Sequence, residues 1–258
     1  IVPGHYNLNL VSEYVKQGIF QAGGTPVEFG VIAACDGVAQ GHRGMHYILP
    51  TRDLIANDIE LMIEAHHLDA VVLTHAHLDH SGRLPLLVQA GFRGPIYTHR
   101  ASRDLCRIML KDAGHLNERE AEAENRKRRR RHQEPVEPLY TQKEAQEAMR
   151  RFRGMDYDEV RRILPGVWVR LRDAGHILGS AIVELWLDDG ERQRKLVFSG
   201  DLGHKGSPIL ENPTPVPDAD LVIMESTYGD RRHRSWDATW AEMAEILEGA
   251  RSERGNIL

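Results

Sequence analysis

Three histidines and one aspartate lie between positions 75 and 80, in the segment "LTHAHLDHSG". Imidazole and carboxylate groups are ligands that suit zinc, which binds them at about 2.0–2.2 Å. His75 and His77 are two residues apart, so in an extended chain their side chains point the same way and can bind one ion. Asp79 and His80 follow where a helix is expected to begin, so the turned backbone can direct them towards a second ion. The spacing permits two metal ions, although helix caps and solvated histidines are the ordinary alternative for such residues.

Two further candidate ligands follow later strands, because one loop cannot complete two coordination shells. His176 lies in "RDAGHILGS" and Asp201 in "VFSGDLG", each beside glycines that allow a close approach of the backbone. Either residue taken alone also fits a polar loop or turn position. Together with the cluster they form a coherent set of ligands, in which Asp201 could bridge two ions with its two carboxylate oxygens.

Strands and helices must alternate around these residues to position them. The apolar run before the cluster predicts a buried strand over 69–74, and a helix over 81–90, a strand in "GPIYTH" and a helical region over 100–132 follow. Thr141 and Glu144 make a capping box for a helix to about 152. From 166 the apolar period becomes two, which predicts strands in "VWVRLRD", "AIVELWLDD" and "RKLVFSGD", then a strand in "DLVIMES" and an amphipathic helix from Trp236. This mixture indicates the α/β class.

Composition limits the protein to a globular class without deciding its function. The 258 residues are 41% hydrophobic, enough for a sizeable core, and 33 basic against 38 acidic residues give a net charge of −5. Cys35 and Cys106 show neither a disulfide framework nor a cysteine zinc pattern, which predicts a reducing, cytoplasmic location. No apolar run approaches the roughly 20 residues that cross a bilayer, so no membrane partner is expected. Because the chain starts at Ile1 and stops in a strand-like segment, we interpret it as part of a longer protein.

A basic run, "RKRRRRH", occupies positions 126–132 near the end of the long predicted helix. Such a run can bind RNA phosphates, because each phosphate contact releases condensed counterions. A charge run on a helix is also often a solvated face with no ligand. The sequence leaves both interpretations open.

From about residue 69 onwards, the chain resembles the metallo-β-lactamase family, in particular its β-CASP branch of RNA-processing nucleases. The matching segments are "LTHAHLDHSGRLPLL", "DAGHILGSA", "VFSGDLG" and "MESTYGDRRH", in the family's order. The resemblance implies that the first zinc is held by His75, His77 and His176, the second by Asp79 and His80, and that Asp201 bridges them. It also implies metal-assisted hydrolysis of RNA phosphodiesters, in which Asp79 takes up a proton and Glu225 helps to position a histidine acid.

Two parts of the family pattern are missing. A histidine for the second zinc and another for acid catalysis follow the β-CASP insertion in the family, and this chain stops at the start of that insertion. The family's first strand hairpin and its "D-C-G" turn are absent at the other end. We therefore expect an α/β fold, a metallo-β-lactamase-like αββα sandwich that is incomplete, carries a foreign α/β N-terminal segment and has an incomplete second zinc site.

Residues 1–70 resemble instead the N-terminal region of dihydroxy-acid dehydratase, an iron–sulfur lyase. The resemblance rests on "IVPGHYNLNL" and on the long stretch from "AGGTPVEFG" to "IEAHHLDA". Local patterns here predict a helix that includes Ala22 and ends at the glycines 23–24, a strand over 27–34 and a helix over 51–66. We predict a join near residue 70, with a dehydratase-like segment over 1–70 and a metallo-β-lactamase-like domain over 71–258.

Three functional hypotheses follow from the presence of two family resemblances in one chain. The first is a zinc-dependent ribonuclease with RNA as its substrate, impaired by truncation and by the join. The second is a fragment of a dehydratase, which would require an iron–sulfur cluster. The third is a chimera that binds zinc without turnover. The sequence does not determine the oligomeric state of the chain.

Overall fold

The computed structural model describes residues 21–22, 25–26, 65, 68–188, 190–227, 234–253 and 255. The chain divides into two compact units, 1–225 and 226–258. In the second unit, helix α5 spans Trp236–Glu253, and the rings of Trp236 and Trp240 stack with centroids 6.3 Å apart. Within the described residues, no helix is both long enough and apolar enough to cross a membrane. The metal-ligand candidates all belong to the first unit.

The first unit contains a three-stranded parallel sheet in the order β3-β4-β5. Its strands are β3 (Val71–Val72), β4 (Ile96–His99) and β5 (Phe152–Met155). Helices make the crossovers that parallel strands require. These helices are α1 (Leu78–Ser81), α2 (Leu84–Gln89), α3 (Arg100–Arg130) and α4 (Gln142–Met149).

Local signals in the sequence fix the ends of the two longer crossover helices. The ring Nδ1 of His99 accepts a hydrogen bond from the Ala101 N–H at the start of α3. Thr141 and Glu144 form the predicted capping box of α4, so that the first N–H groups of the helix have partners. Helix α4 ends at Met149 rather than near 152, because strand β5 begins at Phe152.

A larger sheet of five strands has the order β10-β9-β8-β7-β6. All its pairings are antiparallel except that of β9 with β10, which is parallel. Alternating apolar residues give β7 and β9 one buried face each, whereas the first five residues of β8, which lies between them, are buried on both faces. The strands are β6 (Arg161–Leu164), β7 (Val167–Asp173), β8 (Ala181–Asp188), β9 (Gln193–Phe198) and β10 (Leu221–Ile223).

The two sheets pack face to face, and helices cover the outer side of the smaller sheet. Along β4, Ile96 packs among the helices, whereas the next residue, Tyr97, packs against the larger sheet. Val71 and Val72 divide in the same way, as expected where successive side chains of a strand point to opposite faces. The described residues therefore form three layers of the predicted sandwich, in the order helices, sheet, sheet, and the α/β class is confirmed.

Several predicted elements differ from those observed. The strand over 69–74 is only Val71–Val72, and the helix over 81–90 divides into α1 and α2. Strands β5 and β6 were not predicted, because tertiary pairing rather than local pattern stabilises them. Short strands β1 (Gln21–Ala22) and β2 (Thr25–Pro26) pair where the first predicted helix would end. Most of that helix, the strand over 27–34, nearly all of the helix over 51–66, and Cys35 lie outside the described residues.

Candidate metal centre

The metal-ligand cluster begins at His75, three residues after β3, where the chain leaves the edge of the smaller sheet. The Ala181 N–H donates to the Thr74 carbonyl at 2.9 Å, which ties this loop to the first residue of β8. The Ser81 hydroxyl donates to the Ala76 carbonyl at 2.8 Å and bends the loop into α1. As a result, His75 and His80 are both buried, with 0% and 6% exposure.

Four predicted ligands converge in a first group made of His75, His77, His176 and Asp201. The Nδ1 atom of His77 lies 3.1 Å from Nε2 of His75 and 3.1 Å from Nε2 of His176. The Oδ2 atom of Asp201 lies 3.7 Å from the first of these Nε2 atoms and 3.6 Å from the second. The three imidazole rings are nearly perpendicular to one another, so their nitrogen atoms point into a common space.

The spacing of these four atoms fits a tetrahedral metal ion. Ligands about 2.0–2.1 Å from zinc form a tetrahedron with edges of about 3.3 Å, which the observed separations bracket. Proton sharing explains the arrangement less well, since Nδ1 of His77 faces two other ring nitrogens and one proton can bridge only one such contact. A divalent cation satisfies all of the lone pairs at once.

A second group consists of Asp79, His80 and Asp201. The Nε2 atom of His80 lies 3.3 Å from Oδ1 of Asp201 and 3.7 Å from Oδ2 of Asp79. This nitrogen is buried, and it has no hydrogen bond of acceptable geometry. Asp201 faces the two groups with different oxygens, which is the arrangement of a bridging carboxylate.

The electrostatics keep most of these ligands in the protonation states that bind metals. Burial, followed by the nearby His80, lowers the pKa of His75 to about 3, and burial also lowers the pKa of His176. Burial by itself raises the pKa of Asp201, but its contact with His80 and the charges of the histidines outweigh this and lower it to about 2. For His80, burial lowers the pKa, yet Asp201 and Asp79 outweigh burial and leave it raised. Neutral imidazole and ionised carboxylate are the ligating forms.

The loop that carries His176 is held by a serine that the sequence analysis did not single out. The Ser180 hydroxyl accepts hydrogen bonds from the N–H groups of His176 and Ile177, at 3.0 and 3.2 Å. Gly179 has φ +80°, and its carbonyl accepts from the hydroxyl of Ser102 at the start of α3. A serine four residues after the histidine, in "HILGS", was the available sequence signal.

The loop that carries Asp201 crosses the His176 loop at two glycines. The Gly203 N–H donates to the Ala174 carbonyl at 2.8 Å, and a Cβ at Gly203 would lie 1.7 Å from the Gly175 oxygen. No side chain fits between these two backbones. This close crossing brings His176 and Asp201, which are far apart in sequence, into one site.

Glu225 holds the backbone beside Asp201. Its Oε1 accepts a hydrogen bond of 2.6 Å from the Leu202 N–H, while its own N–H donates to the Ser199 hydroxyl at 3.0 Å. Glu225 therefore connects the end of β10 to the loop that follows β9. The role predicted for Glu225, positioning a histidine acid, stays a prediction.

Residues 55–255 match the family described as Beta-lactamase superfamily domain. The chain therefore belongs to this superfamily, as the motifs predicted. A ribonuclease of Thermus thermophilus is 41% identical over 190 residues, which cover 74% of this chain and 39% of that protein. The transcription termination factor FttA of Thermococcus kodakarensis is 33% identical over 207 residues, covering 79% of this chain and 30% of that protein. The chain thus spans only 39% and 30% of the lengths of these curated relatives.

Among solved structures, a metallo-β-lactamase with the HARLDQ motif from Cronobacter sakazakii has 17% sequence identity and a TM-score of 0.40. The superposition covers 79% of this chain and 70% of that one.

The N-terminal part matches a different family. Residues 1–76 correspond to the family described as Dihydroxy-acid/6-phosphogluconate dehydratase N-terminal. The dihydroxy-acid dehydratase of Ignicoccus hospitalis is 63% identical over 73 residues, which cover 28% of this chain and 13% of that protein. The two family matches overlap over residues 55–76, where the predicted join lies. Both resemblances are confirmed, whereas a domain boundary at residue 70 stays a prediction.

Proposed function

We propose that this chain is a zinc-dependent metallohydrolase of the β-CASP ribonuclease type, which cleaves phosphodiester bonds in RNA. The observation that carries the proposal is the pair of ligand groups that share Asp201. The similarity to a ribonuclease supports RNA as the substrate. The buried free thiol of Cys106 supports the cytoplasmic location proposed from the sequence.

The first group would hold one zinc ion through three imidazole nitrogens and one carboxylate oxygen, a complete shell for zinc. The second group would hold a second ion through Asp79, His80 and the other oxygen of Asp201. When bound, such ions activate water near neutral pH and neutralise charge on a phosphodiester. Because the described residues offer the second group three ligand atoms, we expect its affinity to be the weaker.

Asp79 and Asp201 have different roles in the proposed reaction. Asp79 has an exposed fraction of 41%, so its carboxylate can reach solvent and take up a proton. Asp201 is oriented by the backbone that Glu225 holds, and its low pKa keeps it ionised at neutral pH. We expect slow turnover, since a weak second group positions the substrate and the attacking water less firmly.

Hydrolysis of a phosphodiester tests this function directly. The zinc-loaded 258-residue chain is incubated with RNA and with bis(p-nitrophenyl) phosphate, a reactive diester that reveals slow turnover. We expect zinc-dependent hydrolysis that Asp201→Asn abolishes and that His115→Ala, at an exposed histidine of α3, leaves unchanged. The absence of zinc-dependent hydrolysis of either substrate, or its survival in Asp201→Asn, would contradict the proposal.

The N-terminal match supports a second candidate, a fragment of a dehydratase. That function requires an iron–sulfur cluster, whereas the first requires zinc. Metal analysis of the purified chain separates the candidates: zinc near two atoms per chain supports the nuclease, and iron with sulfide supports the lyase. Substoichiometric metal supports the third hypothesis, a chimera without turnover.

A further inference from the structure

The end of helix α3 carries more positive charge than a helix end requires. Basic residues occupy every position from 126 to 131 in the last turns of α3 and at its C-cap. One or two cations near the last turn would satisfy the helix dipole, whose effect is confined to the end of the helix. Blocks of like charge repel one another and are frequent in segments that bind nucleic acid. An anionic ligand would relieve the repulsion among these positive charges.

Within the described residues, most of these guanidinium groups have no carboxylate partner. Glu124 pairs with Arg128 at 3.3 Å and, more loosely, with Lys127 at 3.8 Å. In the part of the chain that the structure describes, no carboxylate lies within ion-pair distance of the other arginines of the run, and all of these are exposed. They are Arg126, Arg129, Arg130 and Arg131.

The connector after α3 is fixed against the helix, which builds a cleft at this point. His132 adopts a left-handed backbone conformation with φ +54°, and the Gln133 N–H returns to the Arg128 carbonyl at 3.0 Å. The Asn125 side chain then bonds both the N–H and the carbonyl of Val136, at 2.7 and 2.8 Å. Two backbone hydrogen bonds to one amide side chain hold the connector in place.

We call this feature the basic cleft. It has a volume of about 460 Å³ and is lined by Glu122, Asn125, Arg126, Arg129, Gln133 and Pro135. Arg126 and Arg129 are three residues apart, so they lie on one face of the helix and can contact successive phosphates. Planar guanidinium groups suit phosphate oxygens, and the carboxylate of Glu122 can accept from a ribose hydroxyl or a base amine. This mixture of cationic donors with a carboxylate acceptor fits a nucleotide chain better than an inorganic anion.

The position of the basic cleft relative to the metal centre is set by α3 itself. The helix starts beside the metal loops, where Ser102 bonds Gly179, three residues after His176. At 1.5 Å per residue, the helix places Arg129 about 40 Å from Ser102. A stacked strand that rises about 3.4 Å per nucleotide covers that distance in about 12 nucleotides.

We propose that the basic cleft binds the phosphates of single-stranded RNA at a point remote from the metal centre, so that α3 sets the spacing between the anchored part of the strand and the bond to be cut. The inference rests on the proposed function for its choice of RNA. It adds a second RNA contact to the site where hydrolysis occurs.

The test compares Arg126→Gln/Arg129→Gln with a control, Lys143→Gln/Arg150→Gln, which removes the same charge from exposed positions on or at the end of α4. Binding of a single-stranded RNA of about 20 nucleotides is measured over a range of salt, in chelator so that nothing is cut. Losing two phosphate contacts on a single strand should lower the slope of log affinity against log salt by about 1.4. Between about 50 and 200 mM salt, the original chain should then lose about sevenfold more affinity than the cleft variant.

An unchanged slope in the cleft variant, or an equal change in the control, would overturn the inference. So would stronger binding of poly-glutamate than of RNA, which would indicate an acidic protein as the ligand. With zinc present, the cleft variant should have a higher KM for RNA than the original chain. Its KM for bis(p-nitrophenyl) phosphate should be unchanged, because this small diester is too short to contact the metal centre and the basic cleft together. If the chain binds RNA through the cleft but hydrolyses no diester, the proposed function and the spacing role of α3 both fail, whereas RNA binding at the basic cleft stands.

Discussion

Replacing His77 with alanine removes the nitrogen that faces both other imidazoles of the first ligand group. Its Nδ1 atom lies 3.1 Å from each of the two Nε2 atoms, so the substitution removes one of the four ligand atoms of this group. Four-ligand zinc sites bind with about 10–16 kcal/mol, so one ligand of four contributes about 3 kcal/mol. This corresponds to roughly a 100-fold weaker Kd for the tighter ion. His80→Ala should weaken that Kd by only about tenfold, because His80 belongs to the other group and acts on the first as an outer partner of Asp201.

Calorimetric titration of the metal-free chain with zinc at pH 7 measures both steps. The unchanged chain should show a tight step and a weak one, His77→Ala should lose the tight step, and His80→Ala should lose the weak one. His115→Ala, at an exposed histidine on α3, serves as the control and should change neither. Full retention of the tight step in His77→Ala, or two equally tight steps in the unchanged chain, would refute the division of ligands between two groups.

Two further predictions concern a buried carboxylate in the larger sheet, Glu184, and a glycine in the loop that carries Asp201, Gly203. Glu184, which is 1% exposed, accepts hydrogen bonds from Arg170 and Lys195; burial raises its pKa, but these partners outweigh burial and lower it below 4.5. Glu184→Gln should therefore lower the free energy of unfolding by about 3 kcal/mol at pH 7. This loss should shrink as the pH falls below 4.5 through the folded pKa of Glu184, because the carboxylate of the original chain then becomes protonated. Thermal melts that show the same loss at every pH would contradict this prediction. Gly203→Ala should weaken zinc binding at least about tenfold, because its Cβ would force the crossing loops apart. Gly249→Ala, where nothing lies within 4 Å, should leave binding unchanged, and equal affinities in both variants would refute the account.

The sequence by itself determined which residue types can bind metal and roughly where they lie. His75 and His77 alternate after an apolar run, and such short-range spacing depends only on local backbone geometry. The capping box at Thr141 and the length of α3 were predictable for the same reason, since neighbours in the chain decide them. The motifs in their order also identified both families.

The tertiary structure decided how these residues meet. The sequence predicted that Asp201 could bridge two ions, but the orientation that turns one oxygen to each ligand group depends on the crossing of Gly203 over Gly175 and on the bond from Leu202 to Glu225. Strands β5 and β6 exist because neighbouring strands satisfy their backbone groups, not because their residues alternate. The basic cleft likewise depends on Asn125 reaching Val136 across a turn. Contacts between residues distant in sequence have no period to detect, so only the folded chain reveals them.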